Sequence, residues 1–283
     1  MSVDLDGLGC YAAIHGLALR LDDRALRAVP ELAVQRLCDL FEALRVRGTF
    51  FVIGSEAGIA PSSLKSAAGA GHEIASHSHA HDYALSRRTR QEIARDLALA
   101  ERAIADACGQ RPRGFRAPGY TISASLLDAV RDRGYVYDSS LLPSPPYYAA
   151  KAAALAVYAL RRRRSESILG GIGQLFASRK PHRRRGVREL PVATLPVLRA
   201  PVIGTTVFPL PWLARAGFAG AHFNLELHGI DVLDHSDVPA LIAAVHPGLG
   251  MRAAEKLRRL RGLLESLPGE HRTLHDAAIQ LLP

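Results

Sequence analysis

Thr49-Phe50-Phe51-Val52-Ile53-Gly54 is an unbroken apolar run of strand-forming residues, closed by a glycine and preceded by a helical pattern. A run without polar alternation reads as a strand buried on both faces. The same pairing of strand and helix recurs along the chain. Residues 1–5 read as a short buried strand. Residues 30–47 read as a helix, with Pro30 in a first-turn position, Leu32, Leu37, Leu40, Phe41 and Leu44 at helical spacing, and Gly48 as its stop. A helix near 61–70 and a strand near 72–76 follow. Residues 89–108 form an amphipathic helix on Ile93, Leu97, Ala100 and Ile104, and Ser123 caps another that runs to Gly134. Tyr135-Val136-Tyr137 and residues 221–227 read as strands, and 238–246 and 251–266 as helices. Repeated βα units imply an α/β fold with a mostly parallel sheet covered by helices. With no fixed-period repeat and no flexible linker, residues 1–283 are expected to form one catalytic domain.

Residues 146–188 break the alternation. Tyr147 to Leu160 is Ala-rich and carries only Lys151 as a charge; four arginines follow, then a second apolar stretch from Ile168 to Phe176, then a second basic cluster. The spacing predicts an insertion of two short helices among the loops of one face. Residues 161–188 hold ten basic residues and one acid, which accounts for the whole formal charge of +9, while the remainder balances 26 basic against 26 acidic residues. The chain is therefore a neutral body with a basic appendage. Apolar stretches flanked by arginine suit the headgroup boundary of an anionic membrane, so residues 147–188 are a candidate membrane-docking surface. Nucleic acid is not an expected partner, because the arginines have no interleaved aromatic platform for bases.

The polar residues that could carry chemistry fall just after strands, where α/β folds build their sites. His77-Ser78-His79-Ala80-His81 holds three histidines in five residues. On a helical turn, His77 and His81 share one face and can grip one metal ion, while His79 points away. Asp4 and Asp6 are two apart on the first strand and share one side. One of them can bind the metal and the other can stay free as a base. Two histidines and a carboxylate leave open coordination positions, which suits catalysis. Three unclustered cysteines (Cys10, Cys38, Cys108) argue against a disulfide framework and are expected as small buried hydrophobes. Met1 leads straight into the first strand with no signal-peptide pattern, and no run of about 20 apolar residues occurs, so the expected location is cytoplasmic, peripheral on the inner membrane if the insertion docks there.

In order along the chain, Asp4-Leu5-Asp6, His77-Ser78-His79-Ala80-His81, Phe115-Arg116-Ala117-Pro118-Gly119-Tyr120, Tyr137-Asp138-Ser139-Ser140 and Glu226-Leu227-His228 resemble the five motifs of the polysaccharide deacetylase family, the NodB-homology or carbohydrate esterase 4 group. The resemblance covers roughly residues 1–140 and 220–280. Three departures stand out. The aspartates are separated by Leu5, as in the branch that includes peptidoglycan-deacetylase-like cyclic amidases, allantoinase-like enzymes and lipid-linked aminoarabinose deformylases. Glu226 stands where the fifth motif has leucine, and Leu141-Leu142-Pro143 replaces the usual aromatic after the fourth.

The resemblance implies an irregular (β/α)7 barrel carrying the basic insertion. It implies Asp6, His77 and His81 as ligands of one divalent ion, zinc or alternatively cobalt, nickel or manganese. Asp4 is then the general base toward metal-bound water, Arg116 its partner, and His228 the acid that protonates the departing amine. Pro118, Tyr120 and Asp138 are implied around the substrate and oxyanion pocket, with a backbone N–H near Tyr120 as oxyanion donor and Asp231 as a second candidate partner for His228. The implied activity is removal of an acetyl or formyl group from an N-acylated sugar or glycolipid. Hydrolysis of a non-sugar or cyclic amide, or a catalytically silent carbohydrate-binding relative, are the alternatives on the same fold.

Overall fold

The computed structural model describes residues 1–162, 164–217 and 222–283. Eight strands are present among them: β1 (Ser2–Leu5), β2 (Thr49–Val52), β3 (Glu73–Ser76), β4 (Gly114–Phe115), β5 (Tyr137–Asp138), β6 (His182–Arg184), β7 (Val187–Glu189) and β8 (Glu226–His228). They form one sheet in the order β6-β7-β5-β4-β3-β2-β1-β8. Seven of them run parallel and only β6 is antiparallel, to β7. The mixed sheet is curled into a half-barrel with helices, the irregular barrel expected above. Its two margins approach where the Ala193 N–H, past the end of β7, donates to Asn224 O at 2.9 Å, just before β8.

Helices on the outside of the sheet bury their apolar stripes. The main ones used below are α1 (Leu8–Ile14), α2 (Val34–Ala43), α3 (Pro61–Gly69), α4 (Arg90–Cys108), α5 (Ala124–Asp132), α6 (Pro145–Leu160), α7 (Ala253–Ser266) and α8 (Leu274–Leu281). In α2, Val34, Leu37, Leu40 and Phe41 are buried at helical spacing, and each such side chain withdrawn from water contributes roughly 1.5–3 kcal/mol. The helical stretch expected over 30–47 begins with a π-helical segment at Ala28–Ala33 and stops at Ala43, because Arg45 turns left-handed (φ 54°) before Gly48 is reached. In α4, Thr89 and Glu92 cap each other's backbone N–H and Gly109 (φ 79°) closes the far end. Ser123 caps α5 by accepting from Leu126 N. Cys108 is buried, while Cys10 and Cys38 are only half-buried; all three are free thiols.

The insertion differs from the two short helices expected. It opens with one helix, α6, and its second basic cluster forms the β6–β7 hairpin at the sheet margin. The turn of that hairpin is Arg185-Gly186, both at positive φ (49° and 83°), the twist that a two-residue hairpin favours. The arginines point out from an edge strand, where charge discourages further pairing. Arg163, one of the four consecutive arginines, and Ala221, in the expected strand 221–227, lie outside the described residues. The described part of that strand is Glu226–His228.

Candidate active site

The register of the parallel strands sets the site. Asp4 on β1 lies beside Phe51 on β2 and beside His228 on β8, and Ser76, which ends β3, lies beside Phe115 on β4. The residues that follow β1, β3 and β4 therefore meet at one end of the sheet.

His77 and His81 do not sit on a helical turn. The segment between them is a loop bent by positive φ at Ser78 (66°) and His81 (52°). The Asp96 carboxylate on α4 accepts from the N–H groups of His79 (2.9 Å) and Ala80 (3.1 Å), and Ser78 Oγ accepts from His81 N at 3.1 Å. These bonds hold the loop in place of helical ones. The outcome for the imidazoles is nevertheless convergence: their ring centroids are 4.9 Å apart. Asp6 Oδ1 is 3.4 Å from Nε2 of His77 and 3.4 Å from Nε2 of His81.

This trio fits a cation. One donor atom from each of Asp6, His77 and His81 lies within 4.8 Å of the other two, and all three residues are buried. Asp6 Oδ1 and His81 Nε2 are buried atoms with no hydrogen-bond partner. Between His77 Nδ1 and Arg116 O the separation is 2.8 Å, so the ring donates there and turns its Nε2 lone pair inward. Burial pushes the His77 pKa down, which keeps that lone pair available. At His81, burial opposes charge but the Asp6 carboxylate overrides it and lifts the imidazole well above the usual histidine range. At Asp6, burial is likewise outweighed, by His81 first and then His77 and His228, and the carboxyl is held far below its ordinary range. The space among these groups favours positive charge.

Asp4 is held on the other side. Arg116 Nη1 donates to Asp4 Oδ1 at 2.5 Å. The guanidinium is wholly buried and spends its remaining donors on Ser139 O (2.9 Å), Ser139 Oγ (2.9 Å) and Ser2 Oγ (2.9 Å). It also stacks over the Phe51 ring at 4.1 Å. Asn224 completes this group, accepting from Ser2 Oγ (2.9 Å) and donating to Ser139 Oγ (3.1 Å). Asp4 Oδ2 faces His77 Nε2 at 3.7 Å and so lies toward the trio.

His228, at the end of β8, presents Nε2 to Asp6 Oδ2 at 3.8 Å and Nδ1 to Glu226 Oε1 at 3.1 Å. Burial opposes its protonation, but Glu226 and then Asp6 raise its pKa to about 9. Asp231 is not the imidazole's partner. Its Oδ2 accepts the His228 backbone N–H at 2.8 Å, and its carboxylate fills the space beside Gly204 so closely that a Cβ there would lie 1.9 Å from Oδ2.

A cavity of about 460 Å³ opens over these groups, with Asp4, Asp6, His77 and His228 among its lining residues. Its wall includes Tyr147, Ala150, Lys151 and Ala154, one face of α6 at helical spacing, so the insertion roofs the site. Lys151 Nζ donates to Gly119 O at 3.4 Å, and burial lowers its pKa to about 8. Gln174 reaches back from the same insertion to the loop below, and with its side-chain amide turned to satisfy both neighbours it donates to Tyr120 O (2.7 Å) and accepts from Ile122 N (3.1 Å).

Of the three expected pocket residues, Tyr120 is at the cavity and Pro118 and Asp138 are not. Tyr120 lines the cavity, but its backbone N–H donates to Ala117 O at 3.1 Å, and the N–H of Thr121 to Pro118 O at 3.3 Å. In this geometry the loop bonds to itself and does not offer an oxyanion donor at Tyr120. Pro118 and Asp138 are buried away from the cavity lining. Asp138 acts through Ser140, whose Oγ donates to Asp138 Oδ1 at 2.5 Å and accepts from Ala117 N at 2.8 Å, so it braces the loop after Arg116. Ser2, Asn224 and Lys151 stand at the site outside the motifs, and Ser139 and Glu226 stand within them without an assigned role. Two of them were signalled by strand periodicity: Ser2 alternates with Asp4, and Glu226 with His228.

The structure is thus a mixed half-barrel sheet with a buried Asp-His-His cluster at one end, and comparison with known proteins places it further. Residues 16–137 match the polysaccharide deacetylase family model. A peptidoglycan deacetylase-like protein of Gibberella zeae is 30% identical over 148 residues, 50% of this chain and 43% of that one. A chitooligosaccharide deacetylase of Bradyrhizobium is 40% identical over 81 residues, 28% of this chain and 36% of that one. The chain thus spans less than half the length of these curated relatives. The fold is shared with a candidate polysaccharide deacetylase from Mycobacterium smegmatis (TM-score 0.65, 19% identity, 99% of this chain and 88% of that one). It is shared also with a family 4 acetyl xylan esterase from Clostridium thermocellum in complex with cobalt (TM-score 0.51, 16% identity, 99% and 89%). These findings support the polysaccharide deacetylase family, with NodB homology, for this chain.

Proposed function

We propose that this protein is a metal-dependent hydrolase that removes an acetyl or formyl group from the nitrogen of an amino sugar, lipid-linked at the inner face of a membrane. The observation that carries the reading is the meeting of three separate devices in one cavity: the Asp6-His77-His81 trio, the Arg116-bound Asp4, and His228.

Asp6, His77 and His81 would hold the ion, with zinc first and cobalt, nickel or manganese also suited to these donors. When bound, a divalent cation supplies Lewis acidity at the acyl carbonyl and acidifies water nearby. The chain's own groups do the rest. Arg116 occupies Asp4 Oδ1 and leaves Oδ2 facing the trio, so Oδ2 accepts a proton from the attacking water. As the C–N bond breaks, His228 Nε2–H delivers a proton to the amine nitrogen, which leaves poorly as an anion. Tyr120, Tyr147, Ala150 and Ala154 wall the cavity and exclude bulk water. The roof formed by α6 favours one N-acyl group presented at a chain end over the middle of a long polymer.

Two variants test the assignment on N-acetylglucosamine oligomers. Asp4→Asn is expected to keep its zinc and lose roughly 100-fold or more in kcat; comparable turnover removes Asp4 as the base. His77→Ala is expected to lose the ion by elemental analysis, and an unchanged zinc content contradicts the ligand set.

A further inference from the structure

Glu226 is fully buried and opens β8, opposite Ser2 of β1. Residues two apart on a strand share a face, and Oε1 of Glu226 lies 3.1 Å from Nδ1 of His228. Among the described residues neither carboxylate oxygen has a hydrogen-bond partner, so this close approach to the ring is the polar contact that Glu226 makes. The second nitrogen of the ring looks the opposite way, to Asp6 Oδ2 at 3.8 Å. Asp231, the other nearby acid, is committed to the His228 backbone N–H. One imidazole nitrogen thus meets a carboxylate and the other meets the reaction space. A leucine at 226 would leave Nδ1 against hydrocarbon and the ring free to hold its proton on either nitrogen.

We propose that Glu226 is a positioning residue that fixes the proton of His228 on Nδ1, so that Nε2 is the nitrogen that carries and delivers the second proton. The inference rests on the hydrolase reading above for its chemical step. In that step the C–N bond breaks, an N–H bond forms on the departing amine, and the imidazolium becomes a neutral ring. The ring keeps its Nδ1–H on Glu226, and Glu226 takes no proton. Asp4, Glu226 and His228 also bring donor atoms within 4.8 Å of one another. Arg116 already supplies the positive charge beside Asp4, so this group is an acid and its partner, not a second cation site.

The test uses the zinc-loaded full chain and compares Glu226→Leu with Glu226→Gln. Two substrates serve: an N-acetylglucosamine oligomer, whose amine needs a proton, and 4-nitrophenyl acetate, whose phenolate leaves without one. Glu226→Leu is expected to lose about 100-fold in kcat on the amide with KM changed less than about twofold, and to lose far less on the ester. Glu226→Gln, whose amide oxygen still accepts from Nδ1, is expected to recover most of the amide rate. Imidazole 15N spectra recorded at a pH above the His228 pKa, where the ring is neutral, should show the Nδ1–H tautomer in the wild type and a mixture in Glu226→Leu. Equal losses on both substrates, or an unaltered tautomer, overturn the proposal. So does the loss of a full equivalent of zinc in Glu226→Leu, which assigns Glu226 to a second ion. If the wild type leaves the amide untouched, the functional reading falls, while the tautomer spectra still decide the role of Glu226.

Discussion

Asp138 and Glu189 face each other as register partners on β5 and β7, both almost wholly buried. Asp138 Oδ2 and Glu189 Oε2 meet no other donor, and a proton shared between the two carboxyls satisfies both. Burial, reinforced by Asp138, pushes the Glu189 pKa well above the usual carboxylate range. The folded chain therefore keeps a proton that the unfolded chain gives up above about pH 4.3. The stability this contributes is complete below that value and is lost as pH rises toward the folded pKa, by up to about 1.4 kcal/mol per pH unit. Glu189→Gln is expected to flatten that fall, and to leave the protein no less stable than wild type near pH 8, as read from urea midpoints between about pH 5 and 8. A variant whose stability falls as steeply as wild type over that range shows that the pair holds no such proton. The same scale explains what the motifs concealed. Asp4, Asp6, Arg116 and His228 were legible because their types and order were distinctive. Ser2, Ser139 and Asn224 are ordinary polar residues whose part is set by the guanidinium they surround.

At the scale of elements, capped helices could be read directly. Thr89 with Glu92, and Ser123, carry their stop and start signals within a few residues. The His77–His81 segment could not be read so, because spacing of four is common to a helical turn and to this loop, and the choice between them was made by Asp96 on a distant helix. The β6–β7 hairpin was hidden by its own arginines, which outweighed the Arg185-Gly186 turn as a signal. Within the insertion, α6 is fixed at its start by Ser144, which accepts from Tyr147 N, and near its end by Tyr158, whose hydroxyl is 2.7 Å from His15 Nδ1. The face between these anchors meets the cavity, and small residues keep it open. Ala154→Phe is expected to raise KM for the amide substrate by about tenfold, with zinc content unchanged. An unaltered KM shows that substrate does not pass under this helix.

The whole molecule shows why charge and exposure belong together. Leu160 (85% exposed) ends α6, and Val197 (89%) and Phe176 (73%) lie in the segments between α6 and β8, with Leu198 and Trp212 also exposed there. Arg199 lies over the Phe176 ring at 6.0 Å and donates to Ala177 O, which draws residues 176–177 and 199 together. Among the described residues, no helix is long and apolar enough to cross a membrane. The attachment proposed is a peripheral one, in which each basic residue at the lipid surface adds about 1 kcal/mol. Flotation with vesicles containing phosphatidylglycerol is expected to recover the protein at low salt and release it at high salt. Phe176→Ser combined with Leu198→Ser should weaken recovery. Absence from the vesicle fraction at low salt removes the membrane from the proposal.

β1 is hydrogen-bonded to β2 on one side and to β8 on the other, yet about 220 residues separate β1 from β8 along the chain. Every group in the proposed metal-binding trio lies between residues 6 and 81, whereas the proposed proton donor stands at 228. A clipped chain ending before β8 would carry all the proposed donors for an ion while lacking both the proposed acid and the neighbour that keeps β1 from being an edge strand. In the proposed function, ion capture and proton delivery thus draw on segments far apart in the polypeptide, and only pairing of the last parallel strand brings them together.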